Sequence, residues 1–579
     1  MKLLEALDII RKNPREDAKP FVVSLVCGFT PLHLQTFLHA NLLNSLPQRQ
    51  IEIKTGLYGD FSGNLEKIAE QNPDAVIVVM EWSDLDTRLG LRNLGNWAPA
   101  SLEDIVEGVR SRLFQFQKSI EYIAPTIPLA ISFPTLPLPP IAYTPGWRTS
   151  NFQATLCAQL SAAVEKSAIL RNAGILNSQR LAELAPLTAR LDVRAELSSG
   201  FPYAMPYASV LAEQLARVLL PPTPKKGLIS DLDETMWSGI LGEVGAEGVT
   251  WDLDHNSHMH AVYQKLLHSL SEAGVLLAIA SKNDAKIVEQ ALQRTDLLLP
   301  VNKIFPVEAN WAAKSQSVSR ILQTWNVGED SVVFVDDNPM ELAEVQAVHP
   351  GVECILFPKD DAQAIAALLS RLRDLFGKNS LSAEDSIRME SIRNARAAQI
   401  DGAPANGVSD EFLKQAQAEV TFQFSKDVLD ARALELVNKT NQFNLNGRRY
   451  TEREWAEFVG KPHCVLLVVS YKDKYGPLGK IAVLAGSLEG KSLHLPVWVM
   501  SCRAFSRRIE YRCLEELFSK FALEKIVFDF AATPKNGPAR EFLEAVLGRQ
   551  PEPGSVLSAK DFADRKLQTY QRVLELTRG

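Results

Sequence analysis

The stretch from Leu228 to Ile240, LISDLDETMWSGI, sets Asp231 and Asp233 two residues apart at the end of an apolar run. Residues two apart in extended backbone share a face. Both carboxylates therefore converge at one strand end, and two acids held together call for a cation to offset their repulsion. Three other stretches offer partners. Ser281 closes the apolar run of AIASKND, Asp336 and Asp337 close that of VVFVDDNP, and Lys314 opens a helical segment in NWAAKSQS. Hard oxygen ligands with open positions suit Mg²⁺, and a lysine with a hydroxyl suits an anionic phosphoryl group. A carboxylate beside Mg²⁺ can attack phosphorus and form an aspartyl-phosphate. Singly, each piece has an ordinary use: a turn or helix cap for the DLD run, a cap of the next helix for Ser281, a solvated surface lysine for Lys314. Their order and their placement at strand ends favour the joint, catalytic reading.

These groups need parallel strands to carry them, because ligands of open α/β sheets bind outside the carboxyl ends of the strands. The runs GLISDLD, VLLAIAS and SVVFVDD supply such strands within residues 221–375, with helical segments near 257–273, 284–293, 314–325 and 340–348. Residues 1–220 carry a second α/β pattern, with strands expected in PFVVSLVC, IEIKTGL, AVIVVME and PLAISFP and helices near 31–45, 101–121 and 150–173. Residues 376–579 hold a helical connector and then an α+β layout. In it HCVLLVVSYKD, KIAVLAGSLEG and SLHLPVWVMS read as consecutive antiparallel strands, followed by a helix near 506–520 and a strand in KIVFDFA. The fold class expected is therefore α/β and multidomain.

Length and composition agree. At roughly 100–200 residues per domain, 579 residues make three or four domains, and 46% apolar with 23% charged residues is a globular balance. A net charge of −7 argues against a nucleic-acid partner for the chain as a whole. The six cysteines form no CxxC pair, so a reduced, cytoplasmic setting is expected. The N-terminal MKLLEALDIIRKNPRED is amphipathic without a signal-peptide core. No run reaches the ~20 apolar residues that cross a bilayer, so no membrane association is expected.

The motifs Asp231-Leu-Asp233-Glu-Thr235, Ser281, Lys314 and Asp336-Asp337 resemble, in this order, those of the haloacid dehalogenase (HAD) superfamily of phosphotransferases. The resemblance implies Asp231 as nucleophile and Mg²⁺ ligand. Asp233 would be the general acid/base and bind Mg²⁺ through its backbone carbonyl. Thr235, Ser281 and Lys314 would bind the phosphorylated substrate, Asp336 would be the remaining metal ligand, and Asp337 would support it. Fifty residues separate Asp231 from Ser281, and 33 separate Ser281 from Lys314. The first interval fits a small hairpin flap at Met236–Gly245, and neither interval holds a cap domain. A capless site is open to a large or tethered substrate, unless a neighbouring domain serves as its lid.

DLDETMWSGILGEVGAEGV, with SKND and FVDDNPMELAEV, is more specific. It resembles the FkbH-like branch, HAD subclass IIIC, and residues of about 220–550 carry the likeness. NKTNQFNLNGRRY, SYKDKYGPLGKIAVL and VWVMSCRAFSRRIE resemble that branch's acetyltransferase-like (GNAT-like) domain. Such proteins take a glyceryl unit from 1,3-bisphosphoglycerate, remove phosphate and load the acyl group on an acyl carrier protein's phosphopantetheine thiol. Two positions depart from the pattern. Ala280 stands where the branch often has cysteine, so no thioester forms there. CRAFSRRIE has no glycine for a pyrophosphate turn, with Ser506 and Arg508 where small residues are expected; Arg503, Arg507 and Arg508 would instead hold a phosphopantetheine phosphate. Cys502, at a strand end beside Arg503 and before a helix, is the candidate acyl-accepting thiol; its alternative is a small buried hydrophobe. Asn441 and Asn444 would line the same cleft or simply make turns.

The N-terminal layout resembles an SGNH-hydrolase fold. Gly28, Phe29 and Thr30 occupy the turn where that fold has its serine, and no Ser/His/Asp set assembles. His33 reads as a helix-face or core residue, with Asp60 and Asn64 as remaining candidates. A degenerate domain for substrate binding, lidding or dimerisation is expected. Three functions compete: phosphotransfer coupled to acyl transfer, a simple phosphatase of polysaccharide or secondary metabolism, which Ala280 favours, and a non-catalytic scaffold.

Overall fold

The computed structural model describes the chain apart from residues 13–18, 93–100, 140–144, 380, 382–384, 386–388, 390–391, 394–409, 425–429, 475, 502–503, 506 and 576–579. It is a mixed α/β, multidomain fold. Two compact units form: Met1–Pro222 with Thr451–Arg453, and Thr223–Tyr450 with Glu454–Gly579. Among the described residues, no helix is long and apolar enough to cross a membrane.

The first unit holds an all-parallel sheet of β1 (Pro20–Val26), β2 (Gln50–Thr55), β3 (Ala75–Val79), β4 (Leu129–Ser132) and β5 (Ala173–Ile175), in the order β2-β1-β3-β4-β5. Alternation along each strand feeds two cores. Val23, Leu25, Ile77 and Val79 pack with Phe37 and Leu211 on one face, and Val76, Val78 and Met80 with Val109, Phe116 and Ile120 on the other. Burial on both faces is why these strands read as unbroken apolar runs. The helix expected over 150–173 ends at Ala168; residues 169–172 turn the chain into β5, which is three residues long and too short to signal a strand.

The second unit opens with another all-parallel sheet: β6 (Gly227–Ser230), β7 (Leu276–Ser281), β8 (Ile304–Ala309), β9 (Val332–Asp336) and β10 (Glu353–Leu356), ordered β10-β9-β6-β7-β8. The three expected strands are its centre. β8 and β10 were not legible, and both are edges: β8 contains Pro306, which edges tolerate, and β10 has four residues of which only Ile355 is buried. The expected hairpin flap is instead a loop with one helical turn, Leu241–Val244, tied by a bridge between Ser238 and Thr250.

The third sheet comprises β11 (Glu419–Phe424), β12 (Phe443–Asn444), β13 (Cys464–Asp473), β14 (Gly476–Glu489), β15 (Ser492–Met500), β16 (Lys525–Asp529), β17 (Pro553–Ser558) and β18 (Arg572–Glu575). β13, β14 and β15 are consecutive and antiparallel, while β16 pairs parallel to β15. Its core gathers Phe443, Trp498, Phe528 and Phe542.

The first strand of the central sheet depends on a glycine. A methyl on Gly227 would lie 2.9 Å from Cε3 of Trp325, whose buried ring is anchored by a 2.7 Å bond from Nε1 to the Phe305 carbonyl. Because the ring cannot yield, Gly227→Ala is expected to destabilise the second unit by about 1–3 kcal/mol, as overpacked cores do, read by denaturant unfolding.

Candidate active site

In the central sheet, chain order reverses between β6 and β9, the switch point where α/β sheets place ligands. Register decides what meets there. Ser230 pairs with Val335, and the Asp231 amide donates to the Val335 carbonyl at 2.9 Å. Asp231 thus emerges beside Asp336, the last residue of β9. Asp231, Asp336 and Asp337 each present an oxygen within 4.8 Å of the others.

Lys314, at the first position of the helix Lys314–Trp325, reaches into this group. Its Nζ lies 2.9 Å from Asp231 Oδ2 and 2.5 Å from Asp336 Oδ2. It is only 4% exposed, which removes the surface-lysine reading. Burial pushes the Asp231 carboxyl above the usual carboxylate range; Lys314 pulls against that and Asp336 adds to it. Burial would lower the Lys314 ammonium, but Asp231 and Asp336 beside it hold it above its ordinary value. Asp337 faces outward to Lys359 at 3.0 Å.

The Asp233 carboxylate is not one of that group of three and has partners of its own. Its Oδ1 accepts from Trp237 Nε1 and its Oδ2 from Asn283 Nδ2, both at 3.0 Å. The same Asn283 amide donates to Ser281 Oγ at 3.0 Å. Ser281 ends β7 but caps nothing; Asp284 caps the following helix through the amides of Lys286 and Ile287. Ala280 faces the other way, into the core with Val318 and Phe334. Thr235 is fully buried, its Oγ1 has no partner among the described residues, and its carbonyl accepts from His260 Nδ1 at 2.9 Å. Neither Trp237 nor Asn283 was singled out in the sequence. Their signal was only proximity to the motif residues.

Elsewhere the expected residues are engaged differently. Cys502, Arg503 and Ser506 lie outside the described residues. Arg508 bonds Asp410 at 2.5 Å and the Gln568 carbonyl at 3.0 Å, and Arg507 lies 3.6 Å from Asp473 and over the Tyr471 ring. Asn444 makes a turn, accepting from the amides of Asn446 and Gly447, and Asn441 accepts from Arg449.

In the first unit, His33 packs edge-on against Phe201. Asp60 caps the helix Phe61–Glu66, and Asn64 closes the preceding loop through both Leu57 backbone groups. The sequence reading missed Glu81 and Asp84 after β3. The Glu81 carboxylate accepts from Thr135 Oγ1 at 2.6 Å and Tyr203 Oη at 2.8 Å, with the Thr135 and Leu136 amides. Asp84 accepts from the Glu81 amide at 2.8 Å. Burial pushes both carboxyls up to about 7, against hydrogen bonds that favour the charged forms.

No family model and no curated protein matches this chain. Among solved structures, the chain is similar to the N-terminal part of the protein BF1531 from Bacteroides fragilis, a structure containing a phosphatase domain complexed with Mg. The TM-score is 0.53 at 18% identity, over 66% of this chain and 100% of that one. The likeness shows a shared fold.

Two outcomes follow from these buried charges. Lys314→Met leaves two buried carboxylates unpaired and is expected to cost about 3–5 kcal/mol in metal-free denaturant unfolding; adding Asp231→Asn should recover part of the loss, since one of the two charges goes with it. Glu81 and Asp84 have folded values near about 7, above their ordinary 4.5 and 3.8. The folded state therefore holds the extra protons, and the stability they lend is present at acid pH and lost as pH rises through about 7. Hydrogen exchange of the β1 and β3 amides should accelerate over that interval beyond the intrinsic chemical rate.

Proposed function

We propose that this chain is a Mg²⁺-dependent phosphohydrolase of small phosphorylated metabolites, with Asp231 as nucleophile. The observation that carries this reading is the meeting of Asp231, Asp336 and Asp337 at the switch point, with Lys314 bridging two of them. Hard oxygens at this spacing and of this charge fit Mg²⁺. Asp231, Asp336 and Asp337 would hold the ion, with the Asp233 carbonyl as a further ligand. The ion would supply a positive charge that offsets the acids and the charge of the phosphoryl group.

The chain's own residues then divide the work. Ser281 Oγ and Lys314 Nζ hold phosphoryl oxygens. An Asp231 oxygen attacks phosphorus as the bond from phosphorus to the leaving oxygen breaks, and that oxygen takes the proton of Asp233. The resulting carboxylate of Asp233 next removes a proton from water. The water oxygen attacks phosphorus, the bond to Asp231 breaks, and inorganic phosphate leaves with Asp233 reprotonated. The relative of known structure is described as a phosphatase domain complexed with Mg, which supports the same reading.

A finer version couples this step to acyl transfer. A phosphorylated three-carbon metabolite would pass its acyl group to the phosphopantetheine thiol of a carrier protein, with Cys502 as relay. Its support is the sequence of the C-terminal domain. Arg507 and Arg508 already hold Asp473 and Asp410, which favours the simple phosphatase.

The test is phosphate release from a panel of small phosphates, including fresh 1,3-bisphosphoglycerate, with and without Mg²⁺, and with intact-protein mass read in parallel. Asp231→Asn should abolish release and keep the folded circular-dichroism spectrum. Full activity in that variant would overturn the nucleophile. An acyl adduct that Cys502→Ala removes would establish the finer version, and release with no adduct points to hydrolysis alone.

A further inference from the structure

We infer that Trp237 and Asn283 are positioning residues that clamp the Asp233 carboxylate from two sides, and that Asn283 also aims the Ser281 hydroxyl at the phosphoryl group. The inference rests on the reading of Asp233 as acid/base and goes beyond it, because the hydrogen bonds assign a task to two residues that the sequence motifs left without one.

A carboxylate on a short side chain can rotate about its last torsion, which is broad. Here each oxygen is taken by a different donor. Trp237 Nε1 holds Oδ1 and Asn283 Nδ2 holds Oδ2, each at 3.0 Å. The donors come from separate elements. Trp237 lies in the loop after β6, where its ring is fully buried. That loop is pinned at Ser238 and Thr250, by 2.9 and 3.1 Å backbone bonds, and by the Gly239 amide on Glu234 Oε1 at 2.8 Å. Asn283 is buried two residues past β7. A fixed carboxylate meets its proton partner without reorganising.

The second bond of Asn283 decides the polarity of Ser281. The amide nitrogen donates to Ser281 Oγ, so the serine oxygen accepts there and its own hydrogen is free to point elsewhere. A hydroxyl committed as acceptor on the protein side presents a donor on the other, as an anionic phosphoryl oxygen requires. The flap-like loop thus serves as the anchor of the acid/base rather than as a lid.

The two residues give separable signatures. Trp237→Phe removes the indole N–H and keeps an aromatic ring in the core, so among the site residues it acts on Asp233 alone. With an alkyl phosphate such as glycerol 3-phosphate the leaving oxygen needs the proton, and the single-turnover rate of alcohol release should fall by about 10–100-fold, the usual range for an orienting partner. With 4-nitrophenyl phosphate the leaving group needs no proton, so the burst of nitrophenolate that accompanies phosphorylation of Asp231 should slow far less, while steady-state turnover falls because Asp233 also deprotonates the attacking water. Asn283→Ala should show the same leaving-group split, with a raised KM for both substrates from the loosened Ser281. Equal losses in the phosphorylation step on both substrates, or no loss on either, would overturn the clamp. Crystal structures of both single variants and the double variant decide the point independently of turnover. The Asp233 carboxylate is expected to leave its wild-type orientation in the double variant, and an unmoved carboxylate would overturn the inference. A wild-type protein inert to every phosphate would sink the proposed function, while these structures would still test the clamp.

Discussion

The second unit is organised around mutual repulsion. Asp231, Asp336 and Asp337 stand within 4.8 Å of one another, and two of them are almost wholly buried. Like charges so placed persist only with a cation among them. Lys314 supplies one positive charge from the start of its helix, so the three acids still outnumber the cation that touches them. Everything near the site serves that balance. The parallel register of β6 on β9 sets the two acids side by side, and the helix starting at Lys314 delivers the ammonium.

Around this centre lies a layer whose role is orientation. The loop after β6 buries Trp237, and the turn after β7 buries Asn283. Between them they hold the two oxygens of the Asp233 carboxylate, one each. The buried Asp231 is held instead by the Lys314 ammonium, so two carboxylates two residues apart sit in different surroundings. Position 280 shows how strictly strand alternation assigns side chains. Ser281 meets the site, while its neighbour Ala280 belongs to the core on the opposite face.

The first unit repeats the parallel architecture and uses its strand ends differently. The acids after β3, Glu81 and Asp84, are engaged by backbone amides, a threonine and a tyrosine, and Asp60 and Asn64 close turns. Polar groups at a carboxyl edge are therefore not a site in themselves. In the first unit they satisfy one another; in the second they leave a cluster of three acids that Lys314 offsets only in part.

What the sequence determined by itself was the local chemistry. Apolar runs ending in Asp231, Ser281 and Asp336 marked the central strands and their polar carboxyl ends, because buried parallel strands must be continuously apolar and their polar residues fall where they stop. The antiparallel run of β13, β14 and β15 was legible for its length. Edge strands β8 and β10 were not, since exposure on one side removes the apolar signal. Only the tertiary structure decided which groups meet. Trp237 lies four residues from Asp233 and Asn283 fifty, yet both reach the same carboxylate. Their residue types carry no mark of that duty, because hydrogen-bond partnership depends on register and loop path, which no single stretch of sequence contains.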